Sequence, residues 1–433
     1  MSAASLPIAI PGRLALPLPA TLFVVGLVLP IVFHLGSFRL SPYRLVLVAM
    51  FVPCLIQWLN GGMGRRSWPD IFAFGIAGWS TLAILRVHGA GNMDSVEAAG
   101  IVCIETLTPY LLARLCIRDI DSFRSMVRLH LVSLLILLPF ALIETLTARN
   151  PILDLIGSVV HTYPDIEKPA RLGLDRVQGP FEHPILFGVF CGSGFSLGYF
   201  ALGPAYRLAR AALSATVAML SLSSGPLSAL TAQAALILWD RLFTGIQGRW
   251  LMLGALTILA YLVIDLFSNR SPVEVFISYA AFNPQTAFSR VLIWEWTWIN
   301  TWQNPWFGLG NNDWQRLWFM TDSVDMFWMH RTMVYGLPVG ILNQLLFFWI
   351  IISLVRKSGL DEATAGCRKG LIVCLAGLYI AGMTVHYWNA TFVWLMFLLG
   401  TSGWILDTRT VRQVFHPRAR LAPGPNMPRG QLT

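Results

Sequence analysis

Charged side chains are scarce in this sequence, and their scarcity excludes a water-soluble protein. Only 12% of the 433 residues are charged, while 55% are hydrophobic. Soluble domains carry about 25% charged residues, so a soluble protein of this length would have too few charges to cover its apolar side chains. The composition therefore predicts an all-α polytopic membrane protein.

Cysteine pairs and metal-ligand patterns are also missing. The six cysteines fall in or beside apolar segments and form no CxxC pair, so the sequence offers neither a disulfide framework nor a paired-cysteine metal site. His, Asp and Glu residues form no cluster with metal-ligand spacing. The Gly-rich stretch at 304–313 lacks the strand, helix and lysine of a nucleotide-binding loop. We therefore expect no metal and no cofactor.

About twelve apolar stretches are candidates for membrane helices, each of which needs about 20 apolar residues to cross the hydrocarbon. The run Ser-Leu-Ser-Ser-Gly-Pro at 221–226 separates two of these stretches, because Gly and Pro favour a turn there. The twelve stretches are roughly 15–36, 41–60, 69–87, 97–115, 129–147, 184–203, 208–223, 226–240, 250–267, 335–355, 370–387 and 390–406.

The positions of the basic residues predict the orientation. Most of the 31 Lys and Arg residues adjoin alternate ends of these stretches or lie in the C-terminal tail. Because cytoplasmic segments are enriched in Lys and Arg, both termini should be cytoplasmic, and the long loops 148–183 and 268–334 should be external. The net charge of +9 then reflects topology and indicates no nucleic-acid partner.

This orientation divides the chain into six regions. The C-terminal tail is rich in Pro, Gly and Arg, which predicts disorder. The regions are an N-terminal five-helix membrane region (1–147), a first external loop (148–183), membrane helices 6–9 (184–267), a large and partly helical external loop (268–334), membrane helices 10–12 (335–406) and the tail (407–433).

The first external loop ends with a group of polar residues just before a membrane helix. Arg176 has a permanent charge and a planar fork suited to phosphate. Gly and Pro at 179–180 favour a turn, and Pro184 fits the first turn of the next helix. Glu182 and His183 should therefore lie at the membrane surface. An alternative is that these side chains only cap the loop and reach towards lipid headgroups.

The large external loop holds the remaining candidates. Its stretch 289–298 predicts a helix that carries Arg290 and Glu295. Asp325 and His330 follow shortly before the tenth membrane helix. Eight of the 17 tryptophans lie in this loop, and flat rings with an N–H donor suit stacking on sugars. The alternative is that these residues belong to the Trp belt of a membrane interface or to the core, which is the more common role of any single Trp. The candidates for sugar binding are Trp294, Trp298 and Trp328.

A membrane transporter is another class of protein that the composition allows. Proton-coupled transporters are expected to carry intramembrane carboxylates and helix pairs repeated between two halves. Glu105 is the carboxylate placed deep within a span, and no such repeat is found.

Several short motifs follow one another in a recognisable order. The sequence resembles the O-antigen ligase and polymerase superfamily of bacterial inner-membrane enzymes over roughly residues 130–405. The motifs are Arg-x-x-Gly-x-Phe-x-His-Pro-x-x-x-Gly at 176–188, Ser-Leu-Ser-Ser-Gly at 221–225, Ser-Arg at 289–290, Asn-Pro-Trp-Phe-Gly-Leu-Gly at 304–310, Ser-Val-Asp-Met-Phe-Trp at 323–328 and Tyr-Gly-Leu-Pro at 335–338.

The resemblance implies a metal-independent glycosyl transfer on the periplasmic face, from glycans linked to undecaprenyl diphosphate. By motif, Arg176 and Arg290 hold the diphosphate. The His that ligases carry eleven residues before a Gly is replaced here by Asp325. The last two motifs look more like those of the exopolysaccharide polymerase branch, so we expect a polymerase. A ligase or a protein O-oligosaccharyltransferase would use the same donor.

The expected site combines both external loops. Asp325 is the first choice for the base, followed by Glu295, Glu182 and His330. Arg176, His183 and Arg290 should bind the donor, and the tryptophans should hold the glycan. The expected partners are the lipid-linked donor and acceptor, membrane lipid, a chain-length regulator and a flippase, with no nucleic acid.

Overall fold

The computed structural model describes residues 16–35, 38–279 and 284–408. Within these ranges the chain is almost entirely helical, and an antiparallel hairpin pairs β1 (Phe33–Leu35) with β2 (Phe38–Leu40). The helices are α1 (Leu18–Leu27), α2 (Pro42–Leu59), α3 (Trp68–His88), α4 (Met93–Cys116), α5 (Ile120–Thr147), α6 (Pro151–Gly157), α7 (Pro184–Phe200), α8 (Arg207–Met219), α9 (Ser224–Leu242), α10 (Arg249–Phe267), α11 (Pro272–Tyr279), α12 (Pro284–Gln303), α13 (Phe327–Tyr335), α14 (Leu337–Arg356), α15 (Glu362–Gly382), α16 (Asn389–Gly400) and α17 (Ser402–Asp407).

Among the described residues, eight helical stretches are long and apolar enough to cross a bilayer. Two shorter helices, α1 and α7, are also apolar. The general prediction of an all-α membrane protein is thereby confirmed. The eight stretches are α2, α3, α4, α5, α10, α14, α15 and the combined α16 and α17.

Helix α16 is the most enclosed element of the bundle. Its residues from Ala390 to Gly400 are all buried, where they pack against α4 and α7. Close contact with α4 requires a glycine, because a Cβ at Gly400 would lie 2.8 Å from the Cβ of Ala113. By contrast, α10 has no buried residue and is apolar on all sides, which suits lipid surroundings.

The predicted first membrane stretch, 15–36, is wrong in its extent. Helix α1 ends at Leu27, and β1 begins six residues later. Pro30 lies between them and cannot continue a helix, because it lacks the N–H and its ring clashes with the preceding turn. The backbone N–H of Val32 donates instead to the carbonyl of His161, which attaches this segment to the first predicted external loop.

Other local predictions agree with the structure. The predicted break between two stretches is confirmed, but it lies at residues 220–223, because α8 ends at Met219 and α9 begins at Ser224 and includes Gly225 and Pro226 in its first turn. Helix α7 begins at Pro184 as predicted, and the predicted helix at 289–298 lies within α12. The predicted disordered tail lies outside the described residues from residue 409 onwards.

The two ends of the helix bundle carry different residues. One end, which we call the loop end, carries the hairpin, residues 148–183, the described residues of 268–336 and residues 383–388. The hairpin contacts the loop 148–183 through Arg39 and Glu182, Glu182 contacts Trp388, and Phe327 contacts Val385. At the opposite end, the basic end, arginines and lysines bind backbone carbonyls near helix termini. Lys357, for example, donates to the carbonyls of Leu406 and Thr408. The candidate site residues belong to the loop end.

Candidate active site

Three arginines converge on the short turn between α8 and α9. The Nη2 of Arg176 donates to the Oγ of Ser223 at 2.8 Å, and the Nη2 of Arg290 donates to the Oγ of Ser224 at 3.0 Å. The Nη1 of Arg171 donates to the carbonyl of Leu222 at 2.7 Å. We call these three residues the arginine cluster. It joins the two loops in which the sequence predicted the site.

The first loop is held in place by a carboxylate at the end of α5. Glu144 accepts hydrogen bonds from the backbone N–H groups of Gln178 at 2.7 Å and Gly179 at 2.9 Å. It also forms an ion pair with Lys168 at 3.0 Å. Gly179 has a φ of +55°, and a Cβ there would lie 2.9 Å from the ring of Phe187. The loop is thereby folded tightly over α7, which positions Arg176.

The arginine cluster lies at the beginning of α9, and the helix adds to its positive potential. Ser223 is the N-cap residue, but its side chain forms no capping bond, because its Oγ donates to the carbonyl of Ser221 and accepts from Arg176. The first backbone N–H groups of a helix carry a partial positive charge and favour anions. The positive charges of three guanidinium groups and the partial positive charge of the α9 N-terminus therefore lie at the same place.

The charge on these arginines is costly to maintain in this setting. Arg176 and Arg290 are each only 6% exposed. Burial, followed by the nearby charge of Arg171, lowers the pKa of Arg176 to about 10. Burial also lowers the pKa of Arg290, and the charge of Asp325 partly offsets this. The described partners of Arg176 are a carbonyl and a hydroxyl, which do not neutralise it. An anion bound here would stabilise both charges.

Asp325 and His183 adjoin the arginine cluster. The carboxylate of Asp325 is half-buried, accepts a hydrogen bond from the Oγ of Ser323 at 2.6 Å, and acts electrostatically on both Arg290 and His183. Burial, followed by the charge of Arg176, lowers the pKa of His183 to about 4. His183 is therefore neutral at pH 7. Its Nδ1 accepts from the N–H of Ile185, so the ring proton is on Nε2.

Glu182 lies in a different network, although it precedes His183. Its carboxylate forms an ion pair of 2.6 Å with Arg39 in the hairpin. It also accepts hydrogen bonds from the Nε1 of Trp388 at 2.9 Å and from the side-chain amide of Asn389. Glu182 thus connects the hairpin, the first loop and the start of α16. Three donors already occupy this carboxylate.

A second ion pair continues the Glu182 network into the bundle. The Nη2 of Arg44 donates to the Oδ1 of Asn389 at 2.8 Å, and its Nε lies 2.6 Å from the Oε1 of Glu105. The carboxylate that the sequence placed deep within a span therefore has a fixed cationic partner.

The predicted tryptophans divide between two surroundings. Trp294 and Trp298 follow Arg290 at four-residue intervals, so all three share one face of α12. Together with Trp328, they line an apolar groove of about 510 Å³ whose other walls come from α14 and α15. Trp328 also donates from Nε1 to the carbonyl of Tyr379 at 3.0 Å. Glu295 is exposed on another face of α12.

His330 lies on α13 beside a histidine that the sequence did not single out as part of the site. The ring centroids of His330 and His386 are 4.0 Å apart. His386 stacks on Trp388 at 5.5 Å, and Trp388 lies 6.0 Å from His183. A continuous row of rings therefore connects His183 with His330. Burial, followed by the charge of Arg331, lowers the pKa of His330 to about 4.

The Gly-rich turn at 304–310 fixes α13. The N–H groups of Leu309 and Gly310 donate to the carbonyls of Met333 and Val334 at 3.0 and 2.9 Å. Gly308 has a φ of +65°, and a Cβ there would collide with the carbonyl of Val334. This turn has a structural role, because it attaches the loop to the helix that carries His330.

The structure thus brings together some predicted site residues and separates others. Arg176, His183, Arg290 and Asp325 lie close together, whereas Glu182 and Glu295 lie apart from them. Arg171 and His386 were missed. Nothing in the spacing around Arg171 distinguishes it, but the Ser-Leu-Ser-Ser-Gly motif did indicate the turn on which the arginines meet.

Within the described ranges, no three His, Cys, Asp or Glu side chains lie close enough to hold a metal ion. No protein-family model and no curated protein matches this chain.

Proposed function

We propose that the protein is a glycosyltransferase that polymerises undecaprenyl-diphosphate-linked oligosaccharide units on the periplasmic face of a bacterial inner membrane, in the polymerase branch of the O-antigen ligase and polymerase superfamily. The observation that carries this proposal is the arginine cluster. Three guanidinium groups from two loops meet at the start of a helix, and a diphosphate is an anion whose paired oxygens match guanidinium forks.

The proposed topology has twelve crossings. The eight long apolar helices are supplemented by α1, α7, α8 and α9, which are shorter or more polar. Basic residues concentrate at the basic end, which the positive-inside rule assigns to the cytoplasm. The loop end is then periplasmic, and the N- and C-termini are cytoplasmic.

In the proposed reaction, the diphosphate is the leaving group. The bond between the anomeric carbon of the donor glycan and the phosphate oxygen breaks, and a hydroxyl oxygen of the acceptor forms the new bond to that carbon. Negative charge develops on the departing diphosphate, where Arg176 and Arg290 stabilise it electrostatically. His183, protonated on Nε2, supplies a further hydrogen-bond donor.

The acceptor hydroxyl loses its proton to a base, for which Asp325 is the first candidate. Its charge acts on both Arg290 and His183, the two side chains that bind the diphosphate in this proposal. Glu182 is already bound by Arg39, Trp388 and Asn389, and Glu295 lies on an exposed face of α12. Both are therefore weaker candidates than Asp325.

The apolar groove supports a lipid-linked donor. It lies on the face of α12 that carries Arg290, and its walls are the rings of Trp294 and Trp298 and the apolar face of α14. A molecule with a diphosphate head and an isoprenoid tail fits this succession of charged and apolar surfaces. The same tryptophans are also candidates for stacking on the sugars next to the diphosphate.

A ligase or protein O-oligosaccharyltransferase is the second candidate, and His330 is the observation that favours it. Its imidazole is neutral at pH 7 and could serve as a histidine base of the ligase type. A polysaccharide transporter is less favoured, because Glu105, the carboxylate placed deep within a span, already forms an ion pair with Arg44.

Glycan profiles of cells without the gene test the proposal. A polymerase predicts that the long polysaccharide disappears while single repeat units accumulate on lipid. A ligase predicts that long chains persist on undecaprenyl diphosphate but are not transferred to their final acceptor. Unchanged chain length and unchanged attachment would contradict both functions.

A further inference from the structure

A second buried cation lies at the loop end, apart from the arginine cluster. Arg331 is 5% exposed, and its guanidinium lies between the rings of Tyr335 and Phe392, with its Cζ 4.8 and 4.7 Å from their centroids. Within the described part of the chain, its Nε and Nη2 are buried without a hydrogen-bond partner. These two atoms form one edge of the guanidinium fork.

Two histidines beside Arg331 also carry buried ring nitrogens that lack a described hydrogen-bond partner. The Nδ1 atoms of His330 and His386 are also buried without a hydrogen-bond partner among the described residues, and their rings are 4.0 Å apart. The charge of Arg331 acts on both imidazoles. Three neighbouring side chains therefore present polar nitrogens that no described group satisfies.

No described carboxylate offsets the free-energy cost of burying the charge of Arg331 and these unpaired nitrogens. The charge of Glu105 reaches Arg331, but Glu105 is bound to Arg44 at 2.6 Å and to the hydroxyl of Tyr43 at 3.5 Å. Buried donors without a partner are expensive, and rings alone offer a guanidinium only the weak attraction of their faces. An anion bound beside Arg331 would offer these donors the acceptor that they lack.

We propose that Arg331, His330 and His386 bind the carboxylate of an acidic sugar, such as a uronic acid, in the glycan that the protein transfers. A carboxylate has two oxygens in one plane, which match the paired Nε and Nη2 donors of Arg331. With their protons on Nδ1, the two imidazoles donate to the same group. The assignment of the carboxylate to a glycan rests on the proposed function, whereas the anion site does not.

The charge of this site distinguishes it from the arginine cluster. One guanidinium and two neutral imidazoles suit a single negative charge. Three guanidiniums at the start of α9 suit the higher charge of a diphosphate. The two sites are linked by the row of rings from His183 through Trp388 to His386, so both can contact one extended glycan.

Binding of two probes to the full-length protein in lipid nanodiscs tests the proposal. The probes are a glucuronate-bearing trisaccharide, compared with the same trisaccharide carrying glucose, and inorganic pyrophosphate. We expect the wild type to bind the acidic trisaccharide at least tenfold more tightly than the neutral one. Arg331→Gln should abolish this preference and leave pyrophosphate affinity unchanged. Arg176→Gln should weaken pyrophosphate binding and keep the preference.

Controls separate a binding site from a structural role. Arg316→Gln removes an arginine of the same loop whose charge is paired with the carboxylates of Asp313 and Asp322, and it should leave the preference unchanged. If Arg331→Gln does not fold, His386→Gln should still reduce the preference severalfold. Equal affinity of the wild type for both trisaccharides, pyrophosphate binding that depends on Arg331, or an unaltered preference in folded Arg331→Gln would overturn the proposal. Because the readout is binding, loss of the polymerase hypothesis alone would leave it intact.

Discussion

Arg176 in the first predicted external loop donates a hydrogen bond of 2.8 Å to the Oγ of Ser223, which occupies the N-cap position of α9. This bond connects a loop residue to the N-cap residue of a helix, 47 positions later in the chain. Because Arg290 binds the next residue, Ser224, the turn at 221–224 sets the separation between the two arginines. Glycosyl transfer should therefore depend on the position of this turn as much as on the arginines themselves.

Gly188 tests the position of the turn. A Cβ at Gly188 on α7 would lie 2.7 Å from the Cγ of Pro226, so Gly188→Ala should displace the start of α9. We expect a destabilisation of about 1–3 kcal/mol and a loss of glycosyl transfer. The matched control is Gly192→Ala one turn later, where the nearest atoms lie at 3.7 Å. The thermal midpoint and the transfer rate of both variants should be compared, and equal behaviour would show that the turn tolerates displacement.

The buried imidazole of His183 predicts a pH dependence of stability. Its pKa falls from about 6.5 in the unfolded chain to about 4 in the folded protein. Between these values the unfolded state binds more protons, so the contribution of His183 to stability is present above pH 6.5 and is lost as the pH falls. At pH 5 the loss is roughly 2 kcal/mol.

The variant His183→Asn isolates this effect, because Asn also caps helices well but does not titrate. The thermal midpoint of the wild type should drop more between pH 7 and pH 5 than that of the variant. Parallel pH profiles would mean that His183 is not buried as a neutral group.

Asp325 is the predicted base, and its chemistry can be separated from its packing. Asp325→Asn keeps the shape of the side chain but removes the proton acceptor, so polymer should be lost while the protein level and single repeat units persist. Asp322→Asn is the matched control, because its side chain is 89% exposed and exposed ion pairs contribute little. Normal chain length in Asp325→Asn would transfer the role of base to His330.

The proposed orientation can be checked by thiol labelling. The six native cysteines are buried or half-buried, which keeps the background low. Trp318→Cys, at a position 94% exposed, should react with a membrane-impermeant reagent in cells whose outer membrane has been made permeable. Gln247→Cys, exposed between α9 and α10, should react only after lysis. The opposite result would invert the topology and place the arginine cluster in the cytoplasm.

Local chemistry made several structural features predictable from the sequence. Pro184 marked the start of α7, because proline fits the first helical turn. The Ser, Gly and Pro residues at 221–226 marked the separation of α8 from α9. Arg176 and Arg290 were predicted to act together on the basis of a motif order, and the structure places them on adjacent serines.

Pairings between distant parts of the chain were not predictable in the same way. Glu182 binds Arg39, which lies 143 residues earlier in the hairpin, and no local spacing encodes such a contact. His330 meets His386 only because α13 packs beside residues 383–388, where the N–H of Phe327 donates to the carbonyl of Val385. The composition of the first apolar stretch predicts one continuous helix, whereas α1 ends at Leu27, before Pro30.

The release of undecaprenyl diphosphate from a lipid-linked oligosaccharide donor, measured with purified protein in liposomes without an ion gradient, tests the central claim most directly. A hydrogen bond between charged partners contributes about 1.5–3 kcal/mol. Arg176→Ala and Arg290→Ala should therefore each slow release by about ten- to a hundredfold.

Lys at either position should restore only part of the rate, because it lacks the guanidinium fork. Arg270→Ala, which removes an exposed arginine of the second predicted external loop, should match the wild type. The account predicts release coupled to glycan lengthening in the wild type and its loss in both Ala variants. Full rates in both Lys variants, or no release by the wild type, would contradict it.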